Sequence, residues 1–152
     1  MTTHFTLAEL TRSDLAKRKG IKNTPNEAQK QALQAICEDI LEPLRSDMGF
    51  PISISSGFRS EELNKKIGRS SSSQHCKGEA VDIDNDGNNS EIFHWLLENA
   101  DFDQLIWEFG DKNEPDWVHV SYVRGRKTVG KFCVQLSLTD VLSTKSFNFV
   151  VL

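Results

Sequence analysis

The chain has 152 residues and a formal net charge of -4, with 38% hydrophobic and 26% charged residues. This length suits a single domain with a core of ordinary size. The acidic balance argues against nucleic acid as the main partner, because no excess of Lys and Arg is present to release counterions from phosphates. No segment approaches the ~20 apolar residues of a membrane span. The N-terminal residues lack a basic region followed by a long apolar run, so we expect a protein made and kept in the cytoplasm.

The first part of the chain predicts helices. A capping box formed by Thr6 and Glu9 predicts a short helix that ends near Gly20. A stronger start signal follows, with Thr24 as the N-cap, Pro25 at the first helical position and Glu27 at the third. The apolar residues of this second helix repeat at the helical period and indicate the main core helix; they are Leu33, Ile36, Cys37, Ile40, Leu41 and Leu44. Pro43 is predicted to kink or end that helix, and Gly49 to close the segment.

Strand signals dominate the later part of the chain. Alternation of apolar and polar residues predicts strands at 51–55, 80–84, 104–109, 117–122, 132–138 and 147–152. Helices are predicted at 60–67 and 90–100, and a serine-rich loop at 70–73. Helices first and strands later indicate an α+β fold, a mostly antiparallel sheet with helices packed on one side. We expect one domain over residues 1–152, with a helical part at 1–50, a motif-bearing core at 51–123 and C-terminal strands at 124–152.

His75, Asp82 and His119 form a candidate metal site. A continuous strand would place residues seven apart on opposite faces, but a turn at Gly78 would let the His75 and Asp82 side chains converge. His119 lies between two valines in a predicted strand and faces away from them. Taken alone it would more often be a structural histidine, but beside a His/Asp pair the ligand interpretation is favoured. Two imidazoles and one carboxylate leave a fourth zinc position open for water, as in catalytic sites.

Two other patterns near this site compete for a metal. Cys76 adjoins His75, but neighbours on an extended segment point to opposite faces, so a buried reduced thiol is the favoured interpretation. The segment 82–87 copies the first half of a calcium-binding EF-hand loop. Its twelfth position would be Phe93 instead of Glu, which disfavours calcium. Asp84 and Asp86 are better explained as residues that shape a turn.

Charged residues near the candidate ligands suggest catalytic roles. Asp116 lies three residues before His119 and is a candidate general base, although a solvated loop carboxylate is the plainer interpretation. Glu114 and Glu108 compete with it, and Glu108 could instead support a ligand histidine. Arg59 lies between a predicted strand and a predicted helix. It could stabilise an oxyanion or hold a substrate carboxylate, or it could pair on the surface with a nearby glutamate.

Three motifs resemble the zinc D-Ala-D-Ala peptidase family, whose fold is shared with the hedgehog signalling domain. They are Ser-Gly-Phe-Arg-Ser at 56–60, Ser-Gln-His-x-x-Gly-x-Ala-x-Asp-Ile at 73–83 and Trp-Val-His-Val-Ser at 117–121. The match runs from about residue 51 to residue 122 with order and spacing intact. The helical N-terminal part resembles the small phage and prophage members of the same family.

The resemblance implies roles for six residues. One zinc ion would be bound by His75, Asp82 and His119, and Asp116 would be the catalytic base, at a position where many members have Glu. Arg59 would bind the substrate carboxylate and stabilise the transition state. Ser73, two residues before the first ligand, would line the substrate pocket.

The resemblance also implies an activity, that of a monomeric zinc metallopeptidase that hydrolyses peptidoglycan stem peptides. Both a D-Ala-D-Ala carboxypeptidase and an L-Ala-D-Glu type endopeptidase fit, and the bond stays open. The small size and the missing signal peptide suit a phage endolysin, held in the cytoplasm and acting on the cell wall after release. A non-catalytic, zinc-stabilised binding module of the same fold is the alternative.

Overall fold

The computed structural model describes residues 1–126, together with the backbone of residues 132–136 and 149–151. The helices are α1 (Leu7–Leu10), α2 (Asp14–Lys19), α3 (Glu27–Ile36), α4 (Glu42–Met48), α5 (Glu61–Lys66), α6 (Gln74–Lys77) and α7 (Asn89–Asn99). The strands are β1 (Ile54–Ser56), β2 (Ala80–Ile83), β3 (Gln104–Glu108), β4 (Trp117–Ser121), β5 (Phe132–Leu136) and β6 (Phe149–Val151). The two C-terminal strands predicted at 132–138 and 147–152 are therefore present over these shorter spans, and their remaining residues lie outside the described part.

The six strands form one sheet in the order β1-β2-β4-β3-β5-β6. Every neighbouring pair is antiparallel except β3 and β5, which are parallel. The predicted α+β fold with a mostly antiparallel sheet is confirmed. Pairing of β2 with β4 sets Asp82 directly opposite His119, and pairing of β3 with β4 sets Ile106 opposite the same histidine. Strand register therefore joins two of the candidate ligands.

One face of the sheet packs against helices and forms the core. The buried residues that meet there come from strands β2 to β4 and from helices α3, α4 and α7; they include Leu33, Ile36, Leu44, Val81, Ile83, Ile92, Leu96, Leu105, Val118 and Val120. Side chains alternate across a strand, so Asp82 and His119 lie on the face opposite their valine and isoleucine neighbours. The candidate site consequently occupies the sheet face that the main helices leave uncovered.

The single helix predicted between Thr6 and Gly20 is two helices. Thr6 caps α1 as predicted, and its hydroxyl accepts a hydrogen bond from the backbone N–H of Glu9 at 3.2 Å. Ser13 then caps α2 in the same way, accepting from Ala16 at 3.2 Å. A second side-chain cap offers the backbone an alternative to continuing the first helix, which is why the chain restarts there. Gly20 ends α2 in the left-handed conformation.

The start of α3 also differs from the prediction, because Asn26 and not Thr24 is its N-cap. The Asn26 side chain accepts from the backbone of Gln29 at 2.9 Å, and the Gln29 side chain accepts from the backbone of Asn26 at 2.8 Å. This reciprocal pair satisfies two free donors at once, so the helix is capped by Asn26 although Thr24 and Glu27 have the spacing of a capping box two residues earlier.

The disturbance predicted at Pro43 is a change of helical pitch. A π-helical turn over Cys37–Leu41 joins α3 to α4, and Pro43 lies in the first turn of α4. Because proline has no N–H to donate, an altered hydrogen-bond pattern in the preceding turn costs the helix little. Gly49 closes α4 in the left-handed conformation, as predicted.

Candidate metal centre

A short helix and a glycine turn bring His75 to Asp82. His75 lies on α6, a helix too short to be predicted from periodicity, and Asp82 lies on β2. The turn expected at Gly78 is present, with φ of 74°. A Cβ atom at this position would also collide with the backbone carbonyl of Gln29. Glycine is therefore required both for the backbone conformation and for the close packing of α3 against the turn.

Three ligand atoms converge in the interior. The Oδ1 atom of Asp82 lies 3.2 Å from Nε2 of His75 and 2.8 Å from Nδ1 of His119, and the two nitrogens are 3.3 Å apart. A tetrahedral zinc site with bonds of about 2.0–2.1 Å holds its ligand atoms about 3.3 Å apart. All three residues are at least nine-tenths buried. The donor set and its spacing fit a zinc ion with one position left for water.

The environment stabilises the forms of these residues that bind metals. The Nδ1–H of His75 donates to the backbone carbonyl of Gly57 at 2.8 Å, which leaves the Nε2 lone pair facing the other ligands. Burial lowers the pKa of His75, so the ring is neutral at physiological pH. Burial alone would raise the pKa of Asp82, but the two histidines outweigh it and hold that pKa below its usual range. A neutral imidazole and an ionised carboxylate result.

The ligands line a cleft of about 490 Å³. The other lining residues are Arg59, Arg69, Ser70, Ser72, Ser73, Gln74, Gln104, Ile106, Glu108 and Trp117. The structure therefore gathers the three ligands, Arg59 and Ser73 in one place, as the motifs indicated.

Arg59 is the cation nearest to the ligands in this cleft. One of its terminal nitrogens lies 3.8 Å from Oδ2 of Asp82. Its Nε atom is buried and has no hydrogen-bond partner within the described part of the chain. Burial lowers the pKa of Arg59, yet a guanidinium stays protonated at neutral pH. The terminal nitrogens of Arg59 make no hydrogen bond to the described residues, so they are available to an anionic group that enters the cleft.

Asp116 lies apart from this group. It is exposed and lines a second cleft together with Asp84, Asp86, Asp111 and Glu114. Trp117 and His119 share one face of β4, whereas an odd spacing of three gives Asp116 the opposite parity. The side-chain amide of Asn89 also binds the Asp116 backbone carbonyl at 3.1 Å.

Glu108, the competing carboxylate, lines the metal cleft itself. It pairs with Trp117 in the register of β3 and β4 and is half-buried. Burial raises the pKa of Glu108, and the charge of Asp82 raises it further against the opposing effect of His119. A carboxyl group with a raised pKa beside a metal site is a candidate for proton transfer.

The other candidates from the sequence have structural partners. Asp84 accepts a hydrogen bond from Asn89 at 3.3 Å, in keeping with the role in a turn that the sequence suggested. Cys76 is buried, and its carbonyl accepts from Gln29 at 2.8 Å. Within residues 1–126, the one group of three or more His, Cys, Asp and Glu side chains with converging ligand atoms is His75, Asp82 and His119.

Arg69, Gln74 and Trp117 are among the cleft residues to which the sequence assigned no role. Gln74 stands between the pocket residue Ser73 and the ligand His75, and Trp117 shares a strand face with His119. Both carried a signal in their position. Arg69 carried none, because it follows a helix-ending glycine in a segment that resembles an ordinary loop.

Two histidines and one aspartate with an open fourth position are a ligand set that catalytic metal sites use. A sequence model of the family Peptidase M15 matches residues 3–121. The chain therefore belongs to the peptidase M15 family, which is zinc-dependent. The matched span contains every candidate site residue. No curated protein matches the chain in a sequence search. In the described residues, no helix has the length and apolar character needed to cross a bilayer.

Proposed function

We propose that this protein is a zinc-dependent peptidase that hydrolyses peptidoglycan stem peptides. The observation that supports it best is the convergence of His75, Asp82 and His119 within 3.3 Å of one another in a cleft. Zinc held there would polarise the scissile carbonyl and lower the pKa of its water toward ~7. The remaining work falls to the side chains around the ligands.

The arginines of the cleft suggest how a substrate is held. Arg59 is fixed beside the ligands, and its free donors suit either the developing oxyanion or a nearby substrate carboxylate. Arg69 is exposed, lines the same cleft and forms no ion pair among the described residues. Two cations favour a peptide with an anionic group close to the scissile bond. A C-terminal D-Ala carboxylate has this property, and so does the free carboxylate of a D-Glu residue.

A carboxylate must take the proton of the attacking water and return it to the leaving amine. We propose Asp116 for this role, because it occupies the motif position three residues before His119. Glu108 is the alternative, because it lines the metal cleft and burial raises its pKa. The two can be separated by mutation, as discussed below.

Digestion of defined muropeptides tests the activity directly. Zinc-loaded protein is incubated with stem peptides that end in D-Ala-D-Ala and with peptides that contain the L-Ala-D-Glu bond, and products are identified by mass. We expect cleavage of one bond, lost in a His119→Ala variant. The proposal is wrong if zinc-loaded protein leaves every bond intact.

A zinc-stabilised binding module is the second candidate, because a zinc ion bound by three buried ligands could stabilise the fold without any turnover. The carboxylates discriminate between the two. If neither Asp116→Ala nor Glu108→Ala changes any peptide cleavage while removal of a ligand unfolds the protein, the binding module is the better description. We favour the enzyme, because a structural zinc site has no use for a cationic cleft beside its ligands.

An endolysin-like role is proposed for the cellular context. The protein would be synthesised in the cytoplasm and act as a monomer on the cell wall after release. Purified protein added to bacteria with a permeabilised outer membrane should then lower the turbidity of the suspension within minutes. A zinc-free sample and the His119→Ala variant serve as controls.

A further inference from the structure

The two ligand histidines are oriented by different kinds of partner. His75 is held by a backbone carbonyl, that of Gly57. His119 is held by a side chain: its Nε2 lies 3.4 Å from Oε1 of Gln74, while its Nδ1 faces Asp82 at 2.8 Å. The second partner can be removed by mutation, whereas the first cannot.

Gln74 is itself fixed by Ser121. The Nε2 of Gln74 donates to the Ser121 hydroxyl at 2.8 Å. Ser121 is 1% exposed, and in the sheet it is paired with Ala80 on one side and Gln104 on the other. The paired strand and the burial of Ser121 hold its hydroxyl beside the glutamine, where it orients the Gln74 amide.

The hydrogen-bonding capacity of each group determines the orientation of the amide. If Nδ1 of His119 offers its lone pair to a metal, its Nε2 must carry the proton and needs an acceptor. Only the Oε1 atom of Gln74 accepts, so the amide nitrogen is directed to Ser121, whose hydroxyl can accept. When the ring is in the Nε2–H tautomer, His119 donates to the Gln74 carbonyl oxygen and the Gln74 amide nitrogen donates to the Ser121 hydroxyl.

We propose that Gln74 is a positioning residue that, supported by Ser121, holds His119 in the Nε2–H tautomer and thereby sets the affinity of the site for zinc. This inference rests on the zinc site of the proposed function. It also assigns a double role to α6, which carries one ligand and the partner of another. Substitution of partners of this kind typically lowers metal affinity about 10–100-fold.

Zinc affinity, measured by competition with a chromogenic chelator, tests the proposal without any substrate. We expect Gln74→Leu, which has a similar shape and no acceptor, to bind zinc about 10–100-fold more weakly than the wild type. Gln74→Glu keeps an acceptor for the Nε2–H and should restore most of the affinity. Gln104→Leu is the matched control, because Gln104 lines the same cleft and makes no hydrogen bond to His119.

The proposal predicts that the zinc-free forms of Gln74→Leu and the wild type have the same melting temperature. If Gln74 had only a structural role, the zinc-free variant would melt at a lower temperature. Long-range ¹H–¹⁵N spectra of the zinc-loaded wild type should show His119 protonated at Nε2, with an exchange-protected proton that is lost in Gln74→Leu. Equal zinc affinity of Gln74→Leu and the wild type would overturn this inference alone. A wild-type protein that binds no zinc would overturn the proposed function as well.

Discussion

The Nε2 atom of His75 and the Nδ1 atom of His119 lie 3.3 Å apart, although 44 residues separate them in the chain. One comes from a four-residue helix and the other from the middle of a sheet. Two nitrogen lone pairs and a carboxylate oxygen that face each other at this distance repel unless a proton or a cation lies between them. The arrangement of these three ligand atoms therefore favours the binding of a cation between them.

Zinc should stabilise the protein strongly for this reason. A ligand at 100 times its dissociation constant raises the free energy of unfolding by about 2.7 kcal/mol. We expect a rise of several degrees in melting temperature on adding zinc to EDTA-treated protein, measured by differential scanning fluorimetry. His75→Ala and His119→Ala should lose this rise. A rise that persists in both variants would mean that zinc binds elsewhere.

The identity of the general base can be determined with two isosteric variants. Asp116→Asn should lower kcat by a factor of ~10²–10⁴, the usual contribution of general acid–base catalysis, with zinc affinity unchanged. Glu108→Gln should lower kcat less. Steady-state kinetics on a muropeptide substrate distinguishes the two. The opposite order would transfer the role to Glu108, the carboxylate that lines the metal cleft.

Glu108 should cost the zinc-free protein stability at neutral pH. Its folded pKa is raised above the value of 4.5 by burial, so ionisation is less favourable in the folded state than in the unfolded state. The cost is absent below pH 4.5 and grows as pH rises toward and through the folded pKa. We expect Glu108→Gln to resist denaturant better than the wild type at pH 7 and to equal it near pH 4. Urea melts at both pH values, in EDTA, provide the measurement.

Arg69 should determine substrate affinity. Removing a cation that binds a substrate carboxylate weakens binding, so Arg69→Ala should raise KM on an anionic peptide several-fold with a smaller effect on kcat. On a peptide in which that carboxylate is amidated, Arg69→Ala and the wild type should have similar KM values. Arg18→Ala, at an exposed position of α2, is the control for net charge. Identical KM values for Arg69→Ala and wild type on both peptides would contradict a binding role.

Gly78 should be the least replaceable glycine of the metal site. A left-handed backbone costs a non-glycine residue roughly 1–2 kcal/mol, and at Gly78 the added Cβ also meets the carbonyl of Gln29. Gly87 has φ of +80° and open space around it, so Gly87→Ala isolates the backbone cost. Chemical denaturation should show a larger loss for Gly78→Ala than for Gly87→Ala. Equal losses would mean that α3 can move away from the turn.

Residue patterns predicted the convergence of His75, Asp82 and His119, because the turn at Gly78 brings the first two together and alternation along β4 directs the third away from its valine neighbours. They predicted the α+β class for a similar reason, since helical and strand periods differ clearly along the chain. The choice of cap at the start of α3 was missed, because Thr24 with Glu27 and Asn26 with Gln29 have the same capping-box spacing, and the sequence does not distinguish the two.

The sequence did not determine which carboxylate lies in the metal cleft, for a different reason. Whether Asp116 or Glu108 lies in the cleft depends on which residue begins β4 and on its register with β3. A shift by one residue exchanges the two faces, and hydrophobic pattern alone does not determine the last residue of a strand. The sequence also did not predict that Arg69 lies in the cleft, because the location of Arg69 depends on the path of a loop.

The contacts of Gly57 limit how this protein can be truncated. Its carbonyl orients His75, and a Cβ atom at this position would collide with the backbone of Leu10. Phe58 also donates its backbone N–H to the Leu10 carbonyl at 2.7 Å. The first helix is thus two contacts away from the metal ligand. A fragment that begins at residue 51 would contain all three motifs but would lose the packing of Leu10 that supports Gly57 and His75. The three motifs alone are therefore not sufficient to build the site.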